Sequence, residues 1–178
     1  MSDGIYLTDY HNKVESYLSS NVPWLCSVKS YAELKGRIKT PCAFFAVNGW
    51  EKADSQQQNG QLSVDLDCVV LVVFGESGND TQTAIRNAAM ALSYKIDDCR
   101  FGMPVDPAVF ISAEPDGFNP DLNGYEAWAI RYSHQIDVGE DEFSGDGITP
   151  STVRVGYTTP SGSDREPDEY EEVISDAN

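Results

Sequence analysis

Two stretches of this sequence alternate for longer than a small domain can cover. From Gly124 to Val138, Trp128, Ile130, Tyr132, Ile136 and Val138 fall on one side of an extended chain, and Ala127, Ala129, Arg131, Ser133, Gln135 and Asp137 on the other. A period of two is the signature of a β-strand, and here it persists for about a dozen residues, twice the usual length. At roughly 3.4 Å per residue such a strand runs on the order of 40 Å. The second stretch is Gln61 to Phe74. Its first half alternates, Leu62, Val64 and Leu66 against Ser63, Asp65 and Asp67, while Cys68 to Phe74 is apolar on both faces. One end of that strand is expected to be sandwiched and the other to have a wet face. A chain of 178 residues suits one domain plus extras. Such a domain has little core to spare for strands this long. Another copy of the chain is the expected cover for the overhang.

The rest of the chain supplies shorter elements. Leu7, Tyr10, Val14 and Tyr17/Leu18 recur at helical spacing, predicting a helix from about Asp3 or Thr8 to Ser20, stopped before Asn21-Val22-Pro23. Trp24 to Tyr31 is predicted as a short strand and Ala32 to Lys39 as a connector. Pro41 suits the first position of a strand whose Cys42 to Val47 run is continuously apolar. Gly49-Trp50-Glu51 suggests a bulge, and Ser55 to Gly60 a polar hairpin loop ending in Asn-Gly. Asn79, with Gln82 three residues on, has the form of a capping box for a helix whose stripe is Ile85, Ala88, Ala89, Leu92 and Ile96. Val105 to Ala113 is predicted as the fourth strand, Pro115 to Gly124 as a loop, and the fifth strand starts at Tyr125. The order α-β-β-β-α-β-β predicts an α+β fold, two helices packed on a mostly antiparallel sheet. The predicted domain spans residues 1–139, followed by an acidic extended C-terminal arm over residues 140–178. In that arm Thr149 to Thr159 has the composition of a strand, and Tyr170, Val173 and Ile174 are spaced to dock.

Charge divides the chain at the same place. Of the formal net charge of −17, residues 139–178 carry −9, eleven acids against Arg154 and Arg165. A nucleic-acid-binding surface needs clustered Lys and Arg, which twelve scattered bases do not supply. An anionic membrane is disfavoured on the same ground, and no apolar run approaches the ~18 residues of a membrane span. The charge serves solubility, or lets DNA pass without sticking. Cys26, Cys42, Cys68 and Cys99 show no metal-ligand spacing, and Cys42 and Cys68 fit buried strand positions. No signal stretch is evident at the N-terminus, and a reduced, intracellular, soluble protein is expected.

The search for chemistry is barren. Asp65 and Asp67 share a strand face with Gln61 and Ser63, which predicts a solvated face rather than an acid–base pair. The loop Gly75 to Asp80 precedes a helix but carries Glu76 and Asp80 where a phosphate cradle needs a base. His134 follows Tyr132 on the apolar side of the last strand with no acid or nucleophile beside it, and a satisfied buried or interfacial histidine is expected. His11 is expected at the surface. Trp24, Trp50, Trp128 and Tyr132 suit core or interface better than a ligand pocket. With only two histidines a zinc site is hard to assemble. No cofactor, metal site or catalytic residue is predicted, and no enzyme.

Scattered residues carry a resemblance. Gly60-Gln61-Leu62-Ser63-Val64-Asp65, Ile85 to Leu92, Gly102-Met103-Pro104-Val105, Glu114-Pro115 and Leu122-Asn123-Gly124-Tyr125-Glu126-Ala127-Trp128 are similar to small phage and prophage proteins of the head–tail junction. The layout over roughly residues 1–139 resembles that of the phage lambda tail terminator and its contractile-tail counterparts. The arm, with Gly156-Tyr157 and Glu169-Tyr170-Glu171-Glu172-Val173, is similar to that of some of these proteins. The resemblance implies a virion protein that assembles in the host cytoplasm as a homohexameric ring. Such a ring caps the tail tube, in contractile tails meets the sheath, faces the neck proteins and lets DNA through its lumen. The hairpin Val47 to Val64 and the strand Gly124 to Val138 are expected to make much of the ring contact, and the arm around Val153 to Tyr157 to lie on another subunit or a neck partner. The residues expected at subunit or partner contacts are Trp50, Asn59, Leu62, Val64, Trp128, Tyr132, Phe143, Val153, Val155, Tyr157 and Tyr170. The alternatives are a stopper or completion protein of the neck, and a small-ligand-binding domain using the wet face near Asp65.

Overall fold

A computed structural model describes residues 4–30, 38–75, 79–116, 125–143, 152–155 and 171–175, with backbone alone for Asn79 and the last two segments. Two helices, α1 (Leu7–Asn21) and α2 (Asn79–Ile96), cover one face of a five-stranded sheet. Its strands are β1 (Ser27–Ser30), β2 (Cys42–Lys52), β3 (Leu62–Gly75), β4 (Val109–Pro115) and β5 (Tyr125–Val138), in the order β1-β2-β3-β5-β4. β1 runs parallel to β2 and every other pairing is antiparallel. This is the α+β architecture and the element order expected from the sequence. Among the described residues no helix is long and apolar enough to cross a membrane.

The two long strands pair with each other along their whole length, from Leu62 opposite Val138 to Gly75 opposite Tyr125. Their burial follows the composition. Val64, Leu66, Cys68, Val70, Val72, Ile130, Tyr132 and Ile136 face the helices in one core cluster with Tyr10, Val14, Leu18, Leu92 and Ile96. On the opposite face Val69, Leu71, Val73, Ala127 and Ala129 join Cys42 and Phe44 in a second, smaller cluster. That second cluster spans only one half of the long strands. In the other half Asp67 is exposed and Asp65, Ser133 and Gln135 are half-buried, because carboxylates and amides remain hydrated there.

Two strand boundaries depart from those expected. The strand expected over Val105 to Ala113 begins only at Val109. Before it, Arg100 donates a guanidinium hydrogen bond to the Val105 carbonyl (2.7 Å), and the Ala108 N–H donates to the Cys99 carbonyl (2.9 Å), so the segment is committed to a turn. The first strand is confined to Ser27–Ser30 because Leu25 N–H turns back to the Val22 carbonyl. The capping role expected of Asn79 and the loop residues 76–78 fall outside what is described. The bulge expected near Trp50 is present, as a register shift between Val47 and Gly49. The connection from β2 to β3 is the expected polar loop, organised by Gln56, whose amide donates to the carbonyls of Ala53 and Ser63 and accepts from the Ser63 N–H.

The chain forms two compact units that divide after Ser144. The second contains β6 (Thr152–Val155) and β7 (Glu171–Ser175), an antiparallel pair with Val153 opposite Ile174.

Candidate subunit interface

The long strands outrun the helices. β2, β3 and β5 continue past the first turn of α1, and on the helix side Trp50, Leu62 and Val138 near their ends are exposed, with no helix over them among the described residues. The register sets Trp50 opposite Leu66, Val64 opposite Ile136 and Leu62 opposite Val138. Alternation then puts all six on one face. Val64, Leu66 and Ile136 form the floor of an apolar groove of about 180 Å³, with Trp50, Leu62 and Val138 at its rim. Ile5, Tyr6 and Leu7 make its wall. Exposure marks the rim and wall as unfinished core: Trp50 is 63% exposed and Leu62 46% at the rim, and Tyr6 68% in the wall. Scattered exposed apolar residues are ordinary, whereas a contiguous set marks a contact surface.

Glycine geometry fixes the wall. Gly4 N–H donates to the Gly139 carbonyl (2.8 Å) and Ile5 N–H to that of Asp137 (3.0 Å), so the N-terminal segment lies along the end of β5 beyond its pairing with β4. A Cβ on Gly4 would run into the backbone of Gly139, and Gly139 itself has φ +99°, a conformation that L side chains rarely adopt. The chain then folds back on the hairpin loop. Glu142 N–H donates to the Asn59 carbonyl (2.9 Å), and a Cβ on Gly60 would meet Glu142 Cγ at 2.5 Å.

The expected contact residues divide accordingly. Trp50, Leu62 and Val64 converge on the groove, with Asn59 in the loop beside it and Phe143, 76% exposed, just past the strap. Tyr132 is fully buried beneath α1, stacked near Phe45 and Phe101, and offers packing rather than surface. Trp128 is half-buried with the Arg86 guanidinium 5.5 Å from its ring centre. Val153 and Val155 lie on β6. Tyr157 and Tyr170 lie outside the described residues. Tyr6, Leu7 and Val138 belong to the groove and were not singled out in the sequence. Leu7 mimics the α1 stripe, and only its place one turn before Tyr10, the first buried residue, hints otherwise.

The remaining candidates have structural roles. His134 Nε2–H donates to the Asp106 carbonyl (2.6 Å), which leaves Nδ1 to accept from the Tyr10 hydroxyl (2.7 Å). This ties α1, β5 and the turn before β4 together. Burial holds the His134 pKa below the ordinary histidine value, against the opposing pull of Asp106. Burial also pushes the Cys68 thiol up to about 12 and the Cys42 thiol up to about 11. Among the described residues the buried Tyr132 hydroxyl has no partner at full hydrogen-bond geometry, and after burial the nearby Cys68 thiol and Tyr10 hydroxyl raise its pKa further, by charge and by weak hydrogen bonding. His11 is half-buried against Phe45 at 4.7 Å rather than at the surface, because the α1 turn after Tyr10 brings it over the sheet. Asp65 is raised by desolvation and then by Glu51, Asp54 and Asp106. No histidine or nucleophile is hydrogen-bonded to it among the described residues, and none of these groups three or more metal-ligating side chains.

No known family profile matches the chain, and no curated protein does. Among solved structures, a chain from the virion of a native gene transfer agent particle is similar at 12% identity with a TM-score of 0.47. The match covers 75% of this chain and 99% of that one. A likeness of that degree carries no argument about function.

Proposed function

We propose that this protein is a structural component of a phage-like virion, a ring-forming cap at the head–tail junction that joins a tail tube to the neck. The observation that carries the reading is the apolar groove at the overhanging ends of β2, β3 and β5, with Trp50 and Leu62 at its rim. A soluble monomer gains nothing from leaving such a surface in water, while a neighbour laid over it removes the cost. Rings close through heterologous contacts, in which one patch meets a different patch on the next copy. The α+β layout and the residues similar to tail terminators support the same reading. So does the acidity, since a net charge of −17 on each copy suits a lumen through which DNA slides.

On this reading the protein performs no catalysis and needs no cofactor. Its partners are other copies of itself, the tube protein, the sheath where there is one, and the neck proteins. The test is negative-stain microscopy of the purified chain with and without tail tubes. Six-membered rings, free or seated on tube ends, are expected. Single particles of one chain that leave tube ends bare would refute the proposal.

A further inference from the structure

We propose that the Asn48–Gly49 step in the bulge of β2 is a spontaneous deamidation site, where a neutral side chain becomes an aspartate or isoaspartate carboxylate. The sequence holds three Asn–Gly dipeptides, at Asn48, Asn59 and Asn123. Asn123 lies outside the described residues. Asparagine is thermolabile, and a following glycine, lacking a Cβ, lets its backbone nitrogen turn toward the side chain. The Gly49 nitrogen gives up its proton and attacks Asn48 Cγ. The N–Cγ bond forms, the Cγ–Nδ2 bond breaks, and the amide leaves as ammonia with that proton. Water then opens either C–N bond of the cyclic imide. The product is a carboxylic acid, which ionises, and a peptide link through the main chain or the side chain.

The structure frees one of the two described sites and ties the other. Asn48 is exposed and pairs with no residue of β3, since the register passes from Val47 opposite Cys68 to Gly49 opposite Asp67. β1 pairs with β2 only from Cys42 to Phe45, so among the described residues no strand flanks Asn48 on that side. Asn48 Nδ2 donates to Asp67 Oδ2 at 3.3 Å, a long bond between exposed groups. A Cβ on Gly49 would meet nothing within 4 Å, so the backbone there has room to turn. Asn59 is held at both ends of its amide. Its Nδ2 donates to Gln61 Oε1 (2.9 Å), and its Oδ1 accepts from the Gln61 N–H (3.2 Å). The Asn59 carbonyl accepts from the Glu142 N–H, and Glu142 packs over Gly60.

The product forms in a poor place for another acid. Asn48 lines a groove with Glu51, Asp65 and Asp67, and the register sets Glu51 opposite Asp65. Desolvation, and then Glu51, Asp54 and Asp106, already raise the Asp65 pKa. A new carboxylate at position 48 adds to that repulsion. The isoaspartate form also lengthens the main chain by a methylene, two residues before Trp50. On the ring reading above, on which this consequence rests, Trp50 is then displaced at the groove rim and aged chains stay out of the assembly.

Ageing the full-length chain at mildly alkaline pH, followed by peptide mass spectrometry, tests this. Trypsin separates the sites, releasing Thr40–Lys52 with Asn48 and Ala53–Arg86 with Asn59 and Asn79, which fragmentation tells apart. Measured against an unaged digest, acid should appear at Asn48 about tenfold faster than at Asn59, the rate difference that roughly one more net hydrogen bond makes. In guanidinium chloride the two dipeptides should age alike. Gly49→Ala, whose Cβ has open space, should keep the fold and slow Asn48, and Gln61→Ala should speed Asn59. Equal rates in the folded chain, or a faster Asn59, overturn the proposal. So does an Asn48 rate that Gly49→Ala leaves unchanged. In a partly aged sample the modified Thr40–Lys52 peptide should be enriched in free chains over assembled ones. An even spread overturns the exclusion and leaves the site standing. Chains that never associate overturn the ring reading, and the ratio of the two ageing rates still decides the site.

Discussion

Replacing Trp50 by alanine should dissolve the assembly while leaving the subunit folded. A tryptophan side chain offers about 200 Å² or more of surface, and here 63% of the residue stays exposed in the single chain. Covering that exposed share removes roughly 140 Å² from water, worth about 3 kcal/mol at ~25 cal/mol per Å². Each contact in the ring should therefore weaken by roughly two orders of magnitude in its association constant. The isolated fold loses only the covered third of the ring, about 1–2 kcal/mol. Sedimentation velocity over a concentration series reads the first quantity, and a thermal or urea melt of the dilute monomer reads the second. The argument is refuted if association is unchanged while the fold is intact. A collapse of monomer stability that matches the loss of association would equally show that Trp50 serves the core.

Four further outcomes concern the buried groups and the N-terminal wall of the groove. Tyr10→Phe removes the hydroxyl that donates to His134 Nδ1 and should cost about 1–2 kcal/mol in a urea melt. Tyr132→Phe removes a hydroxyl with no well-formed hydrogen bond among the described residues and should be neutral or stabilising, so the pair of variants separates hydrogen bonding from ring packing. The folded pKa of His134 lies below its unfolded value near 6.5, so the unfolded chain takes up the proton first. Stability should be unaffected by this group above pH ~6.5 and should fall as pH drops below it, by up to ~1.4 kcal/mol per pH unit, until the folded site protonates. His134→Gln should flatten that slope in melts between pH 7 and pH 5, more than His11→Asn, whose shift has the same direction but whose side chain is only half-buried. Gly4→Ala drives a Cβ into the Gly139 backbone and should detach the N-terminal wall of the groove, seen as faster amide exchange at Gly4 and Ile5.

The residues that announced the fold are those whose alternation ran longest. Leu62 to Phe74 and Tyr125 to Val138 could be placed as strands, and the first divided into a wet and a dry half, because the alternation of Ser63, Asp65 and Asp67 gives way to an unbroken apolar run; that the two pair with each other was not legible, since alternation fixes faces and not neighbours. That Trp50, Leu62 and Val64 share one face was legible for the same reason, and the structure brings the three to one groove. Tyr132 was not separable from them. Both it and Ile136 belong to the core on the same face, and only the position of α1, which lays Tyr10 over Tyr132, leaves Ile136 alone as part of the groove floor. Tyr6 and Leu7 were hidden by spacing, because a residue one turn ahead of a helical stripe continues its pattern whether or not the sheet reaches that far. Val105 was hidden by chemistry. Its apolar character fits a strand, but Arg100 claims its carbonyl for a turn, a contact no local pattern encodes.

The account depends on the strand ends being finished by other copies, and native mass spectrometry of the full chain tests that most directly. A closed assembly at six times the 19.6 kDa subunit mass, absent from the Trp50→Ala variant, is the predicted result. A species of one subunit mass at every concentration, with tail tubes present as well as absent, would contradict it.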